Sequence, residues 1–516
     1  MMKLIKLKNI NDRKRKLLEK SFLFLSVFFL VFICGKEALS QTVTTFIDVT
    51  GIALVNNSGR GMGAAWGDYN NDGLVDLYVS NYKDKNILYK NTGNDTFADV
   101  TDPANVGNFG ASTDIAWGDY NNDGFPDLFL VNGLGPGYGD KKILYKNNGD
   151  GTFEDIAEKA GIENLAFGMC VSLADYDNDG LLDVYFTNNA HVMICSGQSN
   201  KLYRNNGDDT FSDVTEEAGV GDFGNGMGVA WCDYDNDGDQ DLYVLNFVNS
   251  NIDPPENNLS ALYNNNGDGT FTLSVNAVNS IGGHGVAWGD YNNDGHMDVY
   301  IANVKDILPS GKNVLYKNNG DGTFTDVTDS AGVGDENDST EVTWVDYDND
   351  GDLDLHVVNG GIAAPSESRL YQNNGDSTFT DVAEDAGIQY RGFGEGASWG
   401  DYDNDGDMDV YMVNYNEPNI LYRNNGNTNH WIEIQTKGTV SNASGIGTRV
   451  KVVSGELNQI REVSGGDGFC SQDTLLVHFG LGGNAMIDTL EVRWPSGKVQ
   501  IFENIEADQI ITITEE

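Results

Sequence analysis

Seven short segments of this sequence set oxygen-bearing side chains at alternating positions around a glycine, an arrangement that suits a hard divalent cation. Each reads Asp-Tyr-Asp/Asn-Asn-Asp-Gly, with one more aspartate three residues after the glycine. Taking positions 1, 3, 5, 7 and 9 in order, the first loop offers Asp68, Asn70, Asp72, Leu74 and Asp76, and the second Asp119, Asn121, Asp123, Phe125 and Asp127. The third holds Asp175, Asp177, Asp179, Leu181 and Asp183, and the fourth Asp233, Asp235, Asp237, Asp239 and Asp241. The fifth holds Asp290, Asn292, Asp294, His296 and Asp298, the sixth Asp346, Asp348, Asp350, Asp352 and Asp354, and the seventh Asp401, Asp403, Asp405, Asp407 and Asp409. Position 7 is expected to give its backbone carbonyl and the others their side chains. Gly73 and its counterparts at position 6 allow the sharp turn, and an all-oxygen donor set predicts Ca²⁺, up to seven ions, rather than a transition metal.

An EF-hand loop begins the same way but closes with a bidentate Glu at position 12, between two helices. Position 12 here is apolar throughout: Val79, Leu130, Phe186, Val244, Ile301, Val357 and Met412. Each sits in an alternating run such as Val75-Asp-Leu-Tyr-Val79, which predicts a β-strand. The last ligand is therefore position 9, at the start of that strand. An Asp/Asn-rich turn capping a hairpin explains one such loop equally well, but not seven with the same ligand columns.

The loop starts recur every 51 to 58 residues, the mark of a repeat architecture. Four strand-like pieces fill each period, which describes a propeller blade, and seven periods predict a seven-bladed ring. The third-strand signature Leu-Tyr-x-Asn occurs seven times, yet no Phe-x-Asp-Val follows the last copy at Leu421 to Asn424. Phe46-Ile-Asp-Val49, before the first loop, is expected to supply that missing outer strand and close the circle. Trp66, Trp117, Trp231, Trp288, Trp344 and Trp399, with Leu173 in the third repeat, stand two residues before position 1 and are read as packing between blades. The fold class expected is all-β: a propeller over 41–428, then a small, mainly β domain over 429–516.

Composition narrows the function classes. The formal charge is −48, and the first forty residues hold 9 of the 31 basic and 3 of the 79 acidic residues, so the remainder is more acidic still. Such a surface repels nucleic acid and anionic lipid. Frequent aromatic residues and strand patterning argue against disorder. Residues 1–40 read as an export signal: a basic stretch from Lys3 to Lys20, an apolar run from Ser21 to Cys34, and Ala38-Leu-Ser40 as a cleavage pattern. The apolar run falls short of the roughly 20 residues a membrane span needs, so no stable span is expected after its removal. Cys170, Cys195, Cys232 and Cys470 then remain; Cys170 and Cys195 flank the third loop and could pair, while scattered structural thiols fit equally.

The loops, with Gly-x-Gly-x-Ala-Trp before them, resemble the FG-GAP/VCBS repeat of integrin α-subunit propellers and many bacterial exported proteins. The tail, through Gly445-Ile-Gly-Thr-Arg-Val-Lys451, Arg461-Glu-Val-Ser-Gly-Gly466 and Val492-Arg-Trp-Pro-Ser-Gly497, resembles the ASPIC/UnbV domain of the cartilage acidic protein family. The resemblance implies calcium-dependent folding and extracellular interaction, and implies no catalytic activity. The animal member carries an EGF-like module that is not found here, so its matrix functions are not carried over.

Two roles from different classes follow. In the first, calcium is structural and the chain is a secreted or cell-envelope interaction or adhesion module. In a four-stranded blade the calcium loops share one face with the Asn-Gly turns. The variable inserts Gly133 to Asp140, Ala190 to Ser199, Phe247 to Leu259, Val304 to Lys312 and Gly360 to Ser368 leave from the other face and are expected to meet a protein or glycan. The second is a calcium-dependent polysaccharide-active or cofactor-dependent propeller enzyme. The six histidines are dispersed and no nucleophile elbow, zinc signature or nucleotide loop is present, so no catalytic residue is assigned.

Overall fold

The computed structural model describes residues 43–516 apart from 134–140, 164–166, 190–198, 223, 248–258, 275–277, 279–281, 305–310 and 362–364. The expected leader and the greater part of the five inserts, with Cys195, lie outside the described residues.

Each repeat folds into an antiparallel sheet of four consecutive strands. In the first, Gly61–Gly67, Asp76–Asn81, Ile87–Asn91 and Phe97–Asp99 are hydrogen-bonded in sequence order. Six sheets follow this order, and in a seventh Gly394–Gly400, Asp409–Asn414 and Ile420–Asn424 are completed by Phe46–Asp48 from the other end of the chain. There Phe46 pairs with Asn424 and Asp48 with Tyr422, so the outer strand is borrowed as the sequence predicts. The seven innermost strands pack side by side in one circuit, with 394–400 against both 339–345 and 61–67.

The packing between sheets repeats as strictly as the sequence. Trp66 lies 6.0 Å from Phe97 of its own sheet and stacks at 6.4 Å on Tyr402, position 2 of the preceding calcium loop. At the closure Phe46 takes the same place, 5.8 Å from Trp399 and 5.9 Å from Tyr347. The third sheet lacks the indole, and there Leu173 is covered by Leu182 and by Ile446 of the C-terminal domain. A four-residue helical turn follows most outer strands, as at Ala157–Ala160, and ends on a left-handed residue such as Gly161, φ 78°.

The C-terminal part is a sandwich. One sheet orders Val477–Gly482, His430–Lys437 and Gln509–Thr514; the other orders Leu457–Glu462, Arg449–Ser454, Met486–Arg493 and Val499–Glu506. Ile432, Ile434, Val450, Val452, Phe479, Leu490 and Val492 fill the space between them. This domain sits on the calcium-loop face of the ring and sends residues 463–474 into its centre. There Gly465 accepts from Leu173, Gly468 donates to Val286, and Gln472 donates to Ala64. Gln472 Oε1 also accepts from Trp117 at 2.7 Å and Asp473 Oδ1 from Trp399 at 2.7 Å, while the Phe469 N–H donates to Glu341. The plug touches so many sheets because glycine lets backbones meet: a side chain at Gly63 would collide with the Cys470 carbonyl.

Candidate metal centres

The seven loops share one geometry. In the first, Asp68 accepts from Asp72 N–H at 3.1 Å and from Gly73 N–H at 2.8 Å, which folds the loop around its first carboxylate. Asp72 Oδ1 in turn accepts from Leu74 N–H at 3.2 Å. Asp76, fully buried, accepts from Asn91 N–H at 2.8 Å, so the last ligand is held by the third strand. The same bond recurs in the other six sheets, as in Asn265 to Asp241 at 2.8 Å and Asn424 to Asp409 at 2.7 Å.

Positions 1, 3 and 9 converge where position 3 is aspartate. Carboxylate oxygens of Asp175, Asp177 and Asp183 lie within 4.8 Å of one another, as do those of Asp233, Asp235 and Asp241, of Asp346, Asp348 and Asp354, and of Asp401, Asp403 and Asp409. In the first and fifth loops the position-3 amide, Asn70 or Asn292, donates to Asp76 or Asp298 at 2.8 Å. Turned over, the same amide would present its oxygen instead. Position-5 carboxylates are not drawn into the four triads; Asp72 pairs with Lys90 at 3.2 Å and Asp294 with Lys317 at 3.0 Å. Position-7 side chains turn away, Leu74, Phe125, Leu181, Asp239, His296, Asp352 and Asp407 each lying against the glycine of the Asn-Gly turn in their own sheet.

The donor set fits a hard cation. Buried oxygens at the loops have no hydrogen-bond partner: Asp127 Oδ2, Asp175 Oδ1, Asp177 Oδ1, Asp348 Oδ1 and Asp403 Oδ1. Burial, with the charges of neighbouring loop carboxylates adding, pushes Asp76 up to about 8 and Asp241 up to about 9. A cation at the centre of each loop would supply the missing counter-charge.

Two asparagine columns tie the loops together, a role that reading ligands alone does not reveal. Position 4 is always asparagine, in the left-handed region with φ between 54° and 64°. Its amide reaches forward to the next loop: Asn71 to the Gly124 carbonyl at 2.8 Å, Asn122 to Gly180 at 2.9 Å, and across the closure Asn404 to Gly73 at 3.1 Å. Asn178 reaches Asp239 at 2.7 Å instead. The third-strand asparagine reaches backward, Asn147 to the Tyr69 carbonyl at 2.8 Å and Asn91 to Tyr402 at 2.7 Å. The signal for both was in the sequence, since each column is asparagine in every repeat.

The C-terminal domain adds contacts of its own. Gly480 N–H donates to Asp346 at 3.0 Å, and His478 Nε2 meets Asn349 Oδ1 at 2.6 Å. Arg449 binds Glu462 at 2.7 Å, the Asp233 carbonyl at 2.5 Å and Asn236. Ser444 accepts from Asp119 N–H at 2.9 Å.

Comparison with known proteins identifies the repeats. The FG-GAP-like repeat model matches residues 68–130, 133–186, 190–244, 250–301, 306–357 and 361–412, segments that contain all seven loops and exceed half the chain. The chain belongs to the FG-GAP-like repeat family. The ASPIC and UnbV model matches residues 438–516, so this family member carries that domain after its repeats. Cartilage acidic protein 1 of Homo sapiens is 25% identical over 495 residues, covering 88% of this chain and 71% of the relative. The Xenopus tropicalis protein of the same name is 25% identical over 479 residues, covering 85% and 70%. The solved structure "YCF48 bound to D1 peptide" aligns over 75% of this chain and 96% of its own, at 8% identity and a TM-score of 0.44. No helix among the described residues is long and apolar enough to cross a membrane.

Proposed function

We propose that the protein is an exported, calcium-binding propeller of seven blades that acts as a non-catalytic interaction module outside the cell or in its envelope. Calcium in this reading is structural. The observation that carries it is the set of buried loop oxygens without partners, in loops whose backbones are already folded by their own hydrogen bonds. Positions 1, 3, 5 and 9 would bind through side chains and position 7 through its carbonyl. An ion held there would fasten each loop to the strand that follows it. The relatives named for an acidic protein of cartilage favour the extracellular setting.

The C-terminal domain occupies the loop face, so a protein or glycan partner would meet the opposite face, from which the five inserts leave. A pull-down from the native extracellular environment, run with wild-type protein and with the inserts replaced by short turns, tests this. Capture lost with the inserts supports the reading, and capture unchanged overturns the choice of face. Turnover of an acidic polysaccharide in the presence of calcium would overturn the non-catalytic role.

A further inference from the structure

Two thiols meet where the C-terminal domain enters the ring. Cys170 lies on the innermost strand of the third sheet, Gly168–Ala174, and Cys470 on the segment that plugs the centre. They are 2% and 1% exposed and pack in one apolar cluster with Met169 and Phe469. The plug runs beside this strand and is bonded to it: Gly466 accepts from the Ser172 hydroxyl, and Gly465 from Leu173 N–H at 3.0 Å. At Cys170 the contact is sulfur to sulfur. The Cys470 thiol and N–H donate to the Cys170 sulfur, whose own proton goes to Asp114. Cys232, the third thiol among the described residues, packs in a different cluster.

The backbone at Cys470 is held for this encounter. Its φ of 66° lies in the left-handed region, where glycine sits freely and a larger residue at a cost, and it is the one residue of the plug other than glycine to do so. On one side of it Phe469 N–H donates to Glu341 of the sixth sheet. On the other, Ser471 accepts from Ala64 N–H at 3.3 Å and Gln472 donates to the Ala64 carbonyl at 3.0 Å, in the first sheet. The Cys470 carbonyl is meanwhile pressed against Gly63. Bonds to two other sheets thus fix the segment while its thiol reaches the third.

We propose that Cys170 and Cys470 form a disulfide, in an oxidising environment, that ties the plug of the C-terminal domain to the third sheet. The two thiols give up two protons and two electrons as the S–S bond forms, and the electrons reduce the disulfide of a small-molecule or protein oxidant to two thiols. One cysteine attacks that disulfide as its thiolate, and the other then displaces the oxidant from the mixed disulfide. The exchange precedes docking of the plug, because burial, with Asp114 adding, keeps both thiols protonated once they are inside. The bond encloses roughly 300 residues of chain, and long loops are those whose closure restricts the unfolded state most. In the cell it rests on the exported setting proposed above, since intracellular thiol pools keep cysteines reduced; the pairing itself does not.

The test uses the full chain, refolded in a buffer of reduced and oxidised glutathione, alkylated in denaturant and digested without reduction. Mass spectrometry is expected to find the peptides of Cys170 and Cys470 joined and Cys232 alkylated. Cys170 and Cys470 both alkylated, or Cys170 joined to Cys195, would overturn the proposal. Wild-type protein refolded in dithiothreitol should melt about 3–6 °C below that refolded in glutathione, and Cys470→Ala at the same temperature in both. A wild-type Tm indifferent to the redox buffer would overturn it as well. The same peptide map of protein taken from its native compartment separates the two readings: a bond formed in glutathione but missing there leaves the pairing standing and counts against export. The wild-type maps decide the matter even if the variant fails to fold.

Discussion

Replacing Asn318 by alanine tests whether the backward-reaching asparagines hold the ring together. Asn318 is 1% exposed, its amide donates to the Tyr234 carbonyl at 2.8 Å and the Met297 carbonyl at 3.1 Å, and its oxygen accepts from Gly320 N–H at 2.9 Å. Alanine removes all three bonds and fills none of the space. Two buried carbonyls lose a partner at about 1–3 kcal/mol each, while Gly320 N–H is partly open to water, so the loss comes to about 2–6 kcal/mol. With an unfolding entropy of roughly 2.1 cal/mol/K per residue over roughly 380 residues, that is a fall in Tm of about 3–8 °C. The neighbouring Asn319→Ala is the control, because Asn319 is exposed and bonds only to Thr323 at 2.9 Å and Thr325 at 3.1 Å. It should shift Tm by less than about 1 °C. Both are read by calorimetry in millimolar calcium. An Asn318→Ala shift no larger than that of Asn319→Ala would refute the inter-blade role.

Sites with Kd in the 10⁻⁴–10⁻³ M range gain roughly 0.4–1.4 kcal/mol each in millimolar calcium, so chelation should lower Tm by several degrees, and an unchanged curve would remove the calcium reading. In calcium-free buffer the folded chain holds Asp76 and Asp298 up to about 8 and Asp241 up to about 9, because they are buried. The unfolded chain releases those protons near pH 4, so between about pH 4 and 8 the folded state binds more protons and stability falls as pH rises. The calcium-free protein should therefore melt higher at pH 5.5 than at pH 8, and the opposite order would contradict the assignment of these carboxylates. Arg449→Ala strands Glu462 and Asp233 beside each other at the domain interface; it should cost about 3–5 kcal/mol and speed protease cleavage between 424 and 430, whereas wild-type digestion would count against the docking role.

The ring was legible because the sequence states it seven times. A period near 55 residues, alternating apolar strands and a displaced Phe-x-Asp-Val are local signals, and the structure reproduces them down to the borrowed strand at Phe46. Two C-terminal strands were not legible. Leu457–Glu462 pairs beside Arg449–Ser454, but Gln459 is buried and Arg461 partly buried, so the polar-out alternation of an ordinary strand is absent. Val499–Glu506 is an edge strand on which Val499 and Ile501 remain exposed, Ile501 at 59%, while Phe502 and Ile505 are only partly buried against the core. Docking of the tail over the loops was hidden for a different reason. His478 and Asn349, or Arg449 and Asn236, are polar residues far apart in the chain, and no periodicity announces such a pair.

The seventh sheet carries a burden that the others do not. Elsewhere all four strands of a sheet follow one another along the chain, but in the seventh sheet the outer strand Phe46–Asp48 comes from the other end of the chain and is joined to Ile420–Asn424 only by its pairing. A short strand by itself holds weakly, and an opened propeller would expose two sheet edges. The contacts made between the other sheets are repeated at this closure. Asn91 reaches Tyr402, Asn404 reaches Gly73, Trp66 donates to the Ser398 carbonyl at 2.9 Å, and Asn427 bonds Thr44 at 3.2 Å. From above, Gln472 donates to Ala64 on one side of the seam while Asp473 accepts from Trp399 on the other. The C-terminal domain thus bonds both to the seventh sheet, which holds the borrowed strand, and to the first, into which the chain continues from that strand.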